Sequence, residues 1–351
     1  MGLPQISITF TSLAASAVTR SARGVVALIL RDATAGDTVN EYSVVTEVES
    51  NDWTATNLQY IKQAFLSTPS KVIVVRGATA DEDYSDQLSV LANKRWNYLA
   101  IPDIESADVS DVASWLKSQR DMSNKTFKAV LPNHDGDHEG IINFTTNGIV
   151  VAGTTHSASQ YTARIAGVLA GLPLTRSATF YELSEVESIT ESATPDADID
   201  NGELILINDG EKVKIGRGVN SLTTVTGGKS ADWKKIKVIE GHDIIKEDVT
   251  RTFNDNYVGR VLNSYDNQVL FLTSVNSYLQ QLGGTVLDST SNNRVDVDVE
   301  AQRAAWTGIG TDVSQLTDEQ IKEKSFQDKV FVSGNLKFLD AMEDLQFKAY
   351  V

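Results

Sequence analysis

The most constraining feature of this sequence is a series of short apolar runs separated by longer amphipathic segments. Residues 24–31 (GVVALILR), 71–77 (KVIVVRG), 96–102 (WNYLAIP), 125–132 (KTFKAVLP) and 148–153 (GIVVAG) are apolar at consecutive positions and bounded by glycine, proline or charge. Short runs of this kind read as strands buried on both faces. Between them lie segments with helical spacing. NDWTATNLQYIKQAFLS offers Asn51 or Asp52 as a cap, with Trp53, Leu58, Ile61 and Phe65 near one face. A second helix runs through Leu88 and Leu91, and DVSDVASWLKSQRDM turns Val112, Trp115 and Leu116 inward. SASQYTARIAGVLAGLP carries small residues where another helix could approach closely. Strands alternating with helices imply a mainly parallel sheet covered by helices. An α/β domain with five strands is therefore expected over residues 24–180.

The pattern then changes. Residues 181–202 (YELSEVESITESATPDADIDNG) are acidic, contain no Lys or Arg, and read as a solvated loop or linker. GELILINDGEKVKIGRG reads as a hairpin, because NDG supplies turn chemistry between alternating strands. HDIIKEDVTRTFNDNYVGRV and NQVLFLTSVNSYLQQLGG read as amphipathic helices. A smaller α+β domain is expected over 203–327. The fold class is thus α/β plus α+β.

Both chain ends carry strand patterns. Ile6, Ile8 and Phe10 alternate with polar residues, and FQDKVFVSGNLKFLDAMEDLQFKAYV reads as two strands around a turn. Val330, Val332, Leu345, Phe347 and Ala349 carry the second pattern. Chain ends are usually polar and frayed. These have the alternation that pairing with another chain requires. Residues 1–23 are expected to be an N-terminal arm whose Ala- and Ser-rich part, 11–23, is a flexible connector. Residues 328–351 are expected to be a C-terminal arm.

Composition narrows the function classes. The 351-residue chain has ample length for a core, contains no cysteine and has net charge −16. Disulfides and cysteine-based metal or nucleophile chemistry are excluded. The acidic balance argues against a nucleic-acid surface and favours solubility before assembly. MGLPQISITF lacks the basic region and apolar core of a secretory signal, and Ile6 stands where a myristoylation motif needs Ser or Thr. The runs at 24–30 and 165–174 fall well short of the roughly 20 residues that span a bilayer. A soluble protein made in the cytoplasm, without membrane insertion, is expected.

The enzyme-like motifs are incomplete. In VKIGRGVNSLTTVTGGKSADW, Gly228, Lys229 and Ser230 match the end of a phosphate-binding loop, but Thr223 stands where its first glycine belongs. Trp233 and KKIKV follow too soon for a long helix opening at that loop. In GRGVNS, Ser221 replaces the third glycine of a dinucleotide fingerprint, and GIGTDV near 308 is equally weak. HDGDHEG (134–140) gathers His134, Asp135, Asp137, His138 and Glu139, which could ligate a divalent metal. Gly136 breaks the helix that a zinc-peptidase pattern would need, so a turn-rich loop is the plainer reading. His156 and His242 lack a G-x-S-x-G nucleophile elbow. No catalytic, cofactor or metal residue is assigned. A nucleotide- or metal-dependent α/β enzyme remains the alternative, and a self-assembling envelope layer a weaker one for want of a signal.

A different pattern runs through nearly the whole chain: GLPQISITFTSLAASAVTRSARGVVALIL, EGIINFTTNGIVVAG, YTARIAGVLAGLPLTRSATF, GRGVNSLTT with its downstream tryptophan, and FLDAMEDLQFKAYV. In that order they resemble the tail sheath protein of contractile phage tails and of phage-tail-like (R-type) bacteriocins, in a short form without an inserted outer domain. The resemblance implies a structural subunit and no enzyme. Its copies would form stacked rings or a helix around an inner tail tube protein, meeting baseplate and tail-terminator proteins at the ends. Arms from neighbouring subunits would complete the smaller domain's sheet, and contraction would drive the tube through a target envelope. Tube contact would fall in 242–282. Charge adds an expectation: Glu182, Glu185 and Glu187 on one subunit facing Lys234, Lys235 and Lys237 on another.

Overall fold

The structure, a computed structural model, describes residues 24–350. They divide into two compact units: residues 24–244 with 340–350, and residues 245–339. In the first unit the elements run β1 (Val25–Arg31), β2 (Val39–Tyr42), α1 (Ala55–Phe65), β3 (Lys71–Gly77), α2 (Ser85–Ala92), β4 (Tyr98–Ala100) and α3 (Ser106–Asp121). They continue with β5 (Lys128–Pro132), β6 (Ile141–Phe144), β7 (Ile149–Val151), β8 (Thr154–His156), α4 (Ala158–Gly171), β9 (Val186–Ser188), α5 (Pro195–Asp200), β10 (Glu203–Leu204), β11 (Leu206–Asn208) and β12 (Val213–Ile215). The start of α6 (Ile236–Asn256) completes the unit, and the division falls inside that helix.

Seven strands form the central sheet in the order β10-β6-β5-β4-β1-β3-β2. Every pairing is parallel except that of the edge strand β2 with β3. Period-two geometry explains why β1 reads as unbroken apolar sequence. Val26, Leu28 and Leu30 join a core with Ile61 and Phe65 of α1 and Ile165 and Leu169 of α4. Val25, Ala27 and Ile29 join a second core with Leu88 and Leu91 of α2 and Val112 and Leu116 of α3. Both faces of the sheet are covered, so neither can carry a polar row. Trp115 is partly buried, and its ring lies nearly parallel to the stacked rings of Trp96 and Phe127.

Several expectations are corrected. The run at 148–153 is a strand, but it does not enter the parallel sheet. Ala152 and Gly153, with φ of 48° and 73°, turn β7 straight back into β8, and β9 pairs on its other edge. Two consecutive positive φ values are the signature of a two-residue hairpin turn. The place beside β5 goes to β6, whose IINF was not read as a strand. The acidic stretch 181–202 holds β9 and α5 and stays within the first unit. The run from 203 splits: Glu203–Leu204 adds to the central sheet as β10, and β11 and β12 make the expected hairpin. Asn51 and Asp52 do not cap α1. Its N-cap is Thr54, whose N–H and hydroxyl both donate to Asp32 at the end of β1, at 2.9 Å each. Burial opposes ionisation of Asp32, but hydrogen bonds from Thr34, Asn57 and Thr54 outweigh it and hold its carboxyl well below the usual range.

The second unit contains the rest of α6, α7 (Tyr265–Gln281), β13 (Arg294–Val297), α8 (Val299–Gly308), α9 (Asp318–Glu323) and β14 (Val332–Asn335). Helix α6 opens at Ile236, six residues earlier than the helix read from the sequence. Phe253, Tyr257 and Phe271 pack edge to face between α6 and α7. The Tyr278 hydroxyl donates to buried Asp248 at 2.7 Å.

Helices α1 and α4 touch through glycine. A Cβ on Gly167 would overlap the carbonyl oxygen of Ala64, and one on Gly171 that of Ser67. Gly167→Leu is therefore expected to destabilise the first unit by about 1–3 kcal/mol through overpacking, although glycine is itself a poor helix former. A lowered denaturation midpoint would show it, and an unchanged midpoint would refute the close contact.

Candidate assembly interface

The two enzyme-like loops meet each other. Asp137 accepts the N–H groups of Thr223 and Thr224, both at 2.8 Å, and the Thr223 hydroxyl at 3.1 Å. Those backbone donors hold its carboxyl far below the ordinary range. The His138 N–H donates to Ser221 Oγ at 3.3 Å, and Ser221 Oγ–H donates back to the His138 carbonyl at 3.0 Å. Lys229 bonds Glu139 at 2.9 Å and lies 5.5 Å from the centre of the Trp233 ring. Gly227 and Gly228 sit at φ of 65° and 86° in an exposed turn. The GGKS segment is thus a turn whose lysine is held by a neighbouring carboxylate. A long helix does open soon after it, contrary to expectation, but a 3-10 turn (Ala231–Lys234) comes first.

His138 is buried, and its Nδ1 accepts the Gly140 N–H at 3.0 Å. Burial pulls the His138 pKa down. His242 packs against Trp233 at 4.5 Å, and His156 is buried beside Tyr161. Among the described residues, no three His, Asp or Glu side chains are grouped to hold a metal ion.

Behind these loops lies a buried ionic cluster that no motif announced. Arg120 of α3 makes two parallel hydrogen bonds to Asp243 of α6, both at 3.0 Å. Lys128 of β5 bonds Asp243 at 2.8 Å and Glu240 at 3.0 Å. Tyr98 of β4 donates to Glu240 at 2.6 Å. Burial works against ionised Asp243, but Lys128 and Arg120 overcome it and push its pKa well below the carboxylate range. The one sequence signal was Lys128 standing inside an apolar strand.

The C-terminal segment differs from the expected hairpin. Only one strand forms, β14, and it pairs with β13. Residues 340–350 contain no strand. Asp340 bonds Lys235, Glu343 accepts from Ser177 and Thr179, and Asp344 pairs with Arg217 at 2.6 Å. Beyond them Leu345 is 90 % exposed and Phe347 84 % exposed, so these apolar side chains have no cover among the described residues. Ala349 is also exposed, and Val330 is half-buried before β14. Ile6, Ile8 and Phe10 lie outside the described residues.

Among the described residues, the β13–β14 pair has one edge met by a side chain and one edge with no strand beside it. Asp298 donates to the Phe331 carbonyl, so antiparallel alternation turns the N–H and C=O of Val295 away from β14. Asn276 of α7 meets both, donating to the Val295 carbonyl at 3.0 Å and accepting its N–H at 2.9 Å. The same alternation turns the polar groups of Val332 and Gly334 outward from β14. All four residues of β14 are exposed.

The expected charge patches are partly used up within the subunit. Glu185 bonds Arg164 at 2.5 Å and accepts from Tyr161 at 2.8 Å, which removes it from an outward patch. Lys235 is taken by Asp340, and Glu182 pairs with Lys212 at 2.7 Å. Glu187 is exposed, and Lys234 and Lys237 are half-buried. Burial lowers the Lys237 pKa.

Comparison with known proteins brings these surfaces together. The family described as phage tail sheath protein central domain matches residues 77–221, and phage tail sheath C-terminal domain matches 228–351. The tail sheath protein of Clostridium phage phiCD119 is 37 % identical over 362 aligned residues, spanning 99 % of both chains. The sheath tail protein of Desulfitobacterium hafniense superposes with a TM-score of 0.69 at 20 % identity, covering 84 % of this chain and 94 % of its own. The helical sheath of the anti-feeding prophage in its contracted state superposes with a TM-score of 0.71 at 15 % identity, covering 100 % and 99 %. Both superpositions establish a shared fold.

Removing Asp243 takes from two buried cations the carboxylate they share. Asp243→Ala is expected to cost about 3–5 kcal/mol of stability, read by chemical denaturation. The pH dependence follows from the depressed folded pKa. The Asp243 contribution is complete above the unfolded carboxylate value of about 4 and is lost as pH falls below it. Wild type should lose stability on acidification more steeply than Asp243→Asn, and equal slopes would refute the assignment.

Proposed function

The chain belongs to the phage tail sheath family, a structural component of phage and phage-like particles, and from that premise we propose that its copies polymerise around an inner tube and contract to drive the tube through a target cell envelope. What supports this reading is that, among the described residues, the subunit has both a strand edge with no strand beside it and an exposed apolar segment. The outer edge of β14 presents backbone groups at Val332 and Gly334, and the C-terminal segment presents Leu345, Phe347 and Ala349 in strand alternation. An extended segment adding to a sheet edge gains backbone hydrogen bonds whatever its sequence, and alternate side chains then set specificity. The contact joins two different surfaces, so it propagates as a helix of subunits and does not close as a dimer. The N-terminal segment with Ile6, Ile8 and Phe10 supplies the other arm.

Other partners follow in the same way. The end of α6 and the start of α7, with Val330, line an apolar groove of about 450 Å³ that includes Phe253, Tyr257, Leu262 and Phe271. Leu262 is 85 % exposed beside it. This face, within 242–282, is proposed to meet the inner tube. Baseplate and terminator proteins cap the two ends. Glu182 and Glu187 on one subunit face Lys234 and Lys237 on the next, more extensively after contraction. Subunits are made in the bacterial cytoplasm, where the acidic net charge keeps them soluble before assembly.

Deleting residues 345–351, or residues 1–12, should leave a folded soluble subunit that forms no striated tubes in negative-stain microscopy. Val332→Pro removes one outward N–H while sparing the bonds to β13, a position where an edge strand tolerates proline, and should likewise abolish tubes. Polymers formed by any of these variants would overturn the arm mechanism. Charge reversal at Lys234 and Lys237 with unchanged contraction would remove the electrostatic contribution.

A further inference from the structure

The contacts of residues 340–344 are more elaborate than a stray tail requires. The Glu343 side chain is 6 % exposed. One of its oxygens accepts from Ser177 Oγ at 2.8 Å and from Thr179 Oγ1 at 2.6 Å. The other lies 3.6 Å from Arg217 Nε. The receiving groups are themselves held in place. The Thr179 hydroxyl accepts the Gly218 N–H at 2.9 Å, which leaves its proton for Glu343. Ser177 Oγ accepts the Thr179 N–H at 3.1 Å. Gly218 permits the fit, since a Cβ there would stand 3.2 Å from Ser177 Oγ. On either side of Glu343, Asp344 takes the Arg217 guanidinium and Asp340 takes Lys235. The apolar side chains of the same segment do not take part, with Met342 and Leu345 fully or nearly fully exposed.

We propose that Ser177, Thr179, Arg217 and Lys235 form a receptor for an acidic peptide segment, that the chain's own Asp340, Glu343 and Asp344 occupy it, and that its occupancy sets how much of the C-terminus is free to reach a neighbour. The last part rests on the arm reading above. With the clasp closed, the free segment is residues 345–351, seven residues spanning at most about 23 Å. With the clasp open it is residues 340–351, twelve residues spanning at most about 40 Å. Because the clasping contacts are ionic and polar and residues 340–344 belong to no helix or strand, the clasp opens and closes without melting an element. A lattice that changes its spacing needs a connector of adjustable length, and this receptor supplies one.

The cysteine-free sequence makes the test direct. Spin labels at Met342→Cys and at Asp111→Cys on exposed α3 report whether the clasp is closed in the unassembled full-length chain. The expected result is a narrow distance distribution in low salt that broadens in high salt. Excess synthetic peptide with the sequence of residues 340–351 should broaden it in low salt, by competing for the receptor. Arg217→Ala with Glu343→Gln should broaden it without added salt. A label at Lys348→Cys should reach up to about 17 Å further from α3 in that double variant, the span of five added residues. A broad distribution in the unmodified receptor at low salt would overturn the proposal. So would a narrow one that salt, peptide and the double variant all leave unchanged. Tube formation by a chain lacking residues 345–351 would instead overturn the arm reading and leave the clasp result standing.

Discussion

The structure of the first unit depends on a carboxylate that has lost its water. Asp243 is buried, and a buried charge is tolerated only where partners replace its hydration. Arg120, Lys128 and Asp243 come from three elements, so satisfying the carboxylate fixes α3, β5 and the start of α6 together. Glu240 and Asp243 are three residues apart and share one helix face. Sliding α6 by one residue would turn it by about 100° and take both off their cations.

The same economy explains the loops that looked enzymatic. A phosphate-binding loop offers free backbone N–H groups and a free lysine to an incoming anion. Here the Asp137 carboxylate already occupies the N–H groups of Thr223 and Thr224, and Glu139 occupies Lys229. The chain supplies its own anions, and the result is a brace between two loops. The C-terminal segment uses the same chemistry in Glu343 and Asp344, but on a piece of chain with exposed apolar residues beyond it. Ionic contacts hold the root of the segment, while its apolar alternation stays uncommitted.

The two edges of the small β13–β14 sheet differ in what meets them. Asn276 presents a carboxamide to Val295 with the donor and acceptor geometry of a neighbouring strand. The edge it meets has its Val295 groups satisfied, while all four residues of β14 are exposed among the described residues. A helix side chain thus stands in for a strand, and it does so from a residue with no strand character.

Much of the architecture was legible in the residues. By itself the sequence determined that β1, β3, β4 and β5 lie in a parallel sheet covered on both faces, because uninterrupted apolar runs admit no exposed side. It also indicated that α4 packs closely, which the structure shows at Gly167 and Gly171. Which strands share a sheet was not legible. The run at 148–153 has the composition of a central strand, and only the backbone turn at Ala152 and Gly153 diverts it, while IINF takes its place. The ionic cluster was equally hidden, because Arg120 and Asp243 are 123 positions apart and form no motif. The clasp of Glu343 on Ser177 and Thr179 spans still more of the chain. Patterns of burial are local and can be read along a sequence. The pairing of charges depends on which elements the tertiary structure brings within about 3 Å, and only the folded chain decides that.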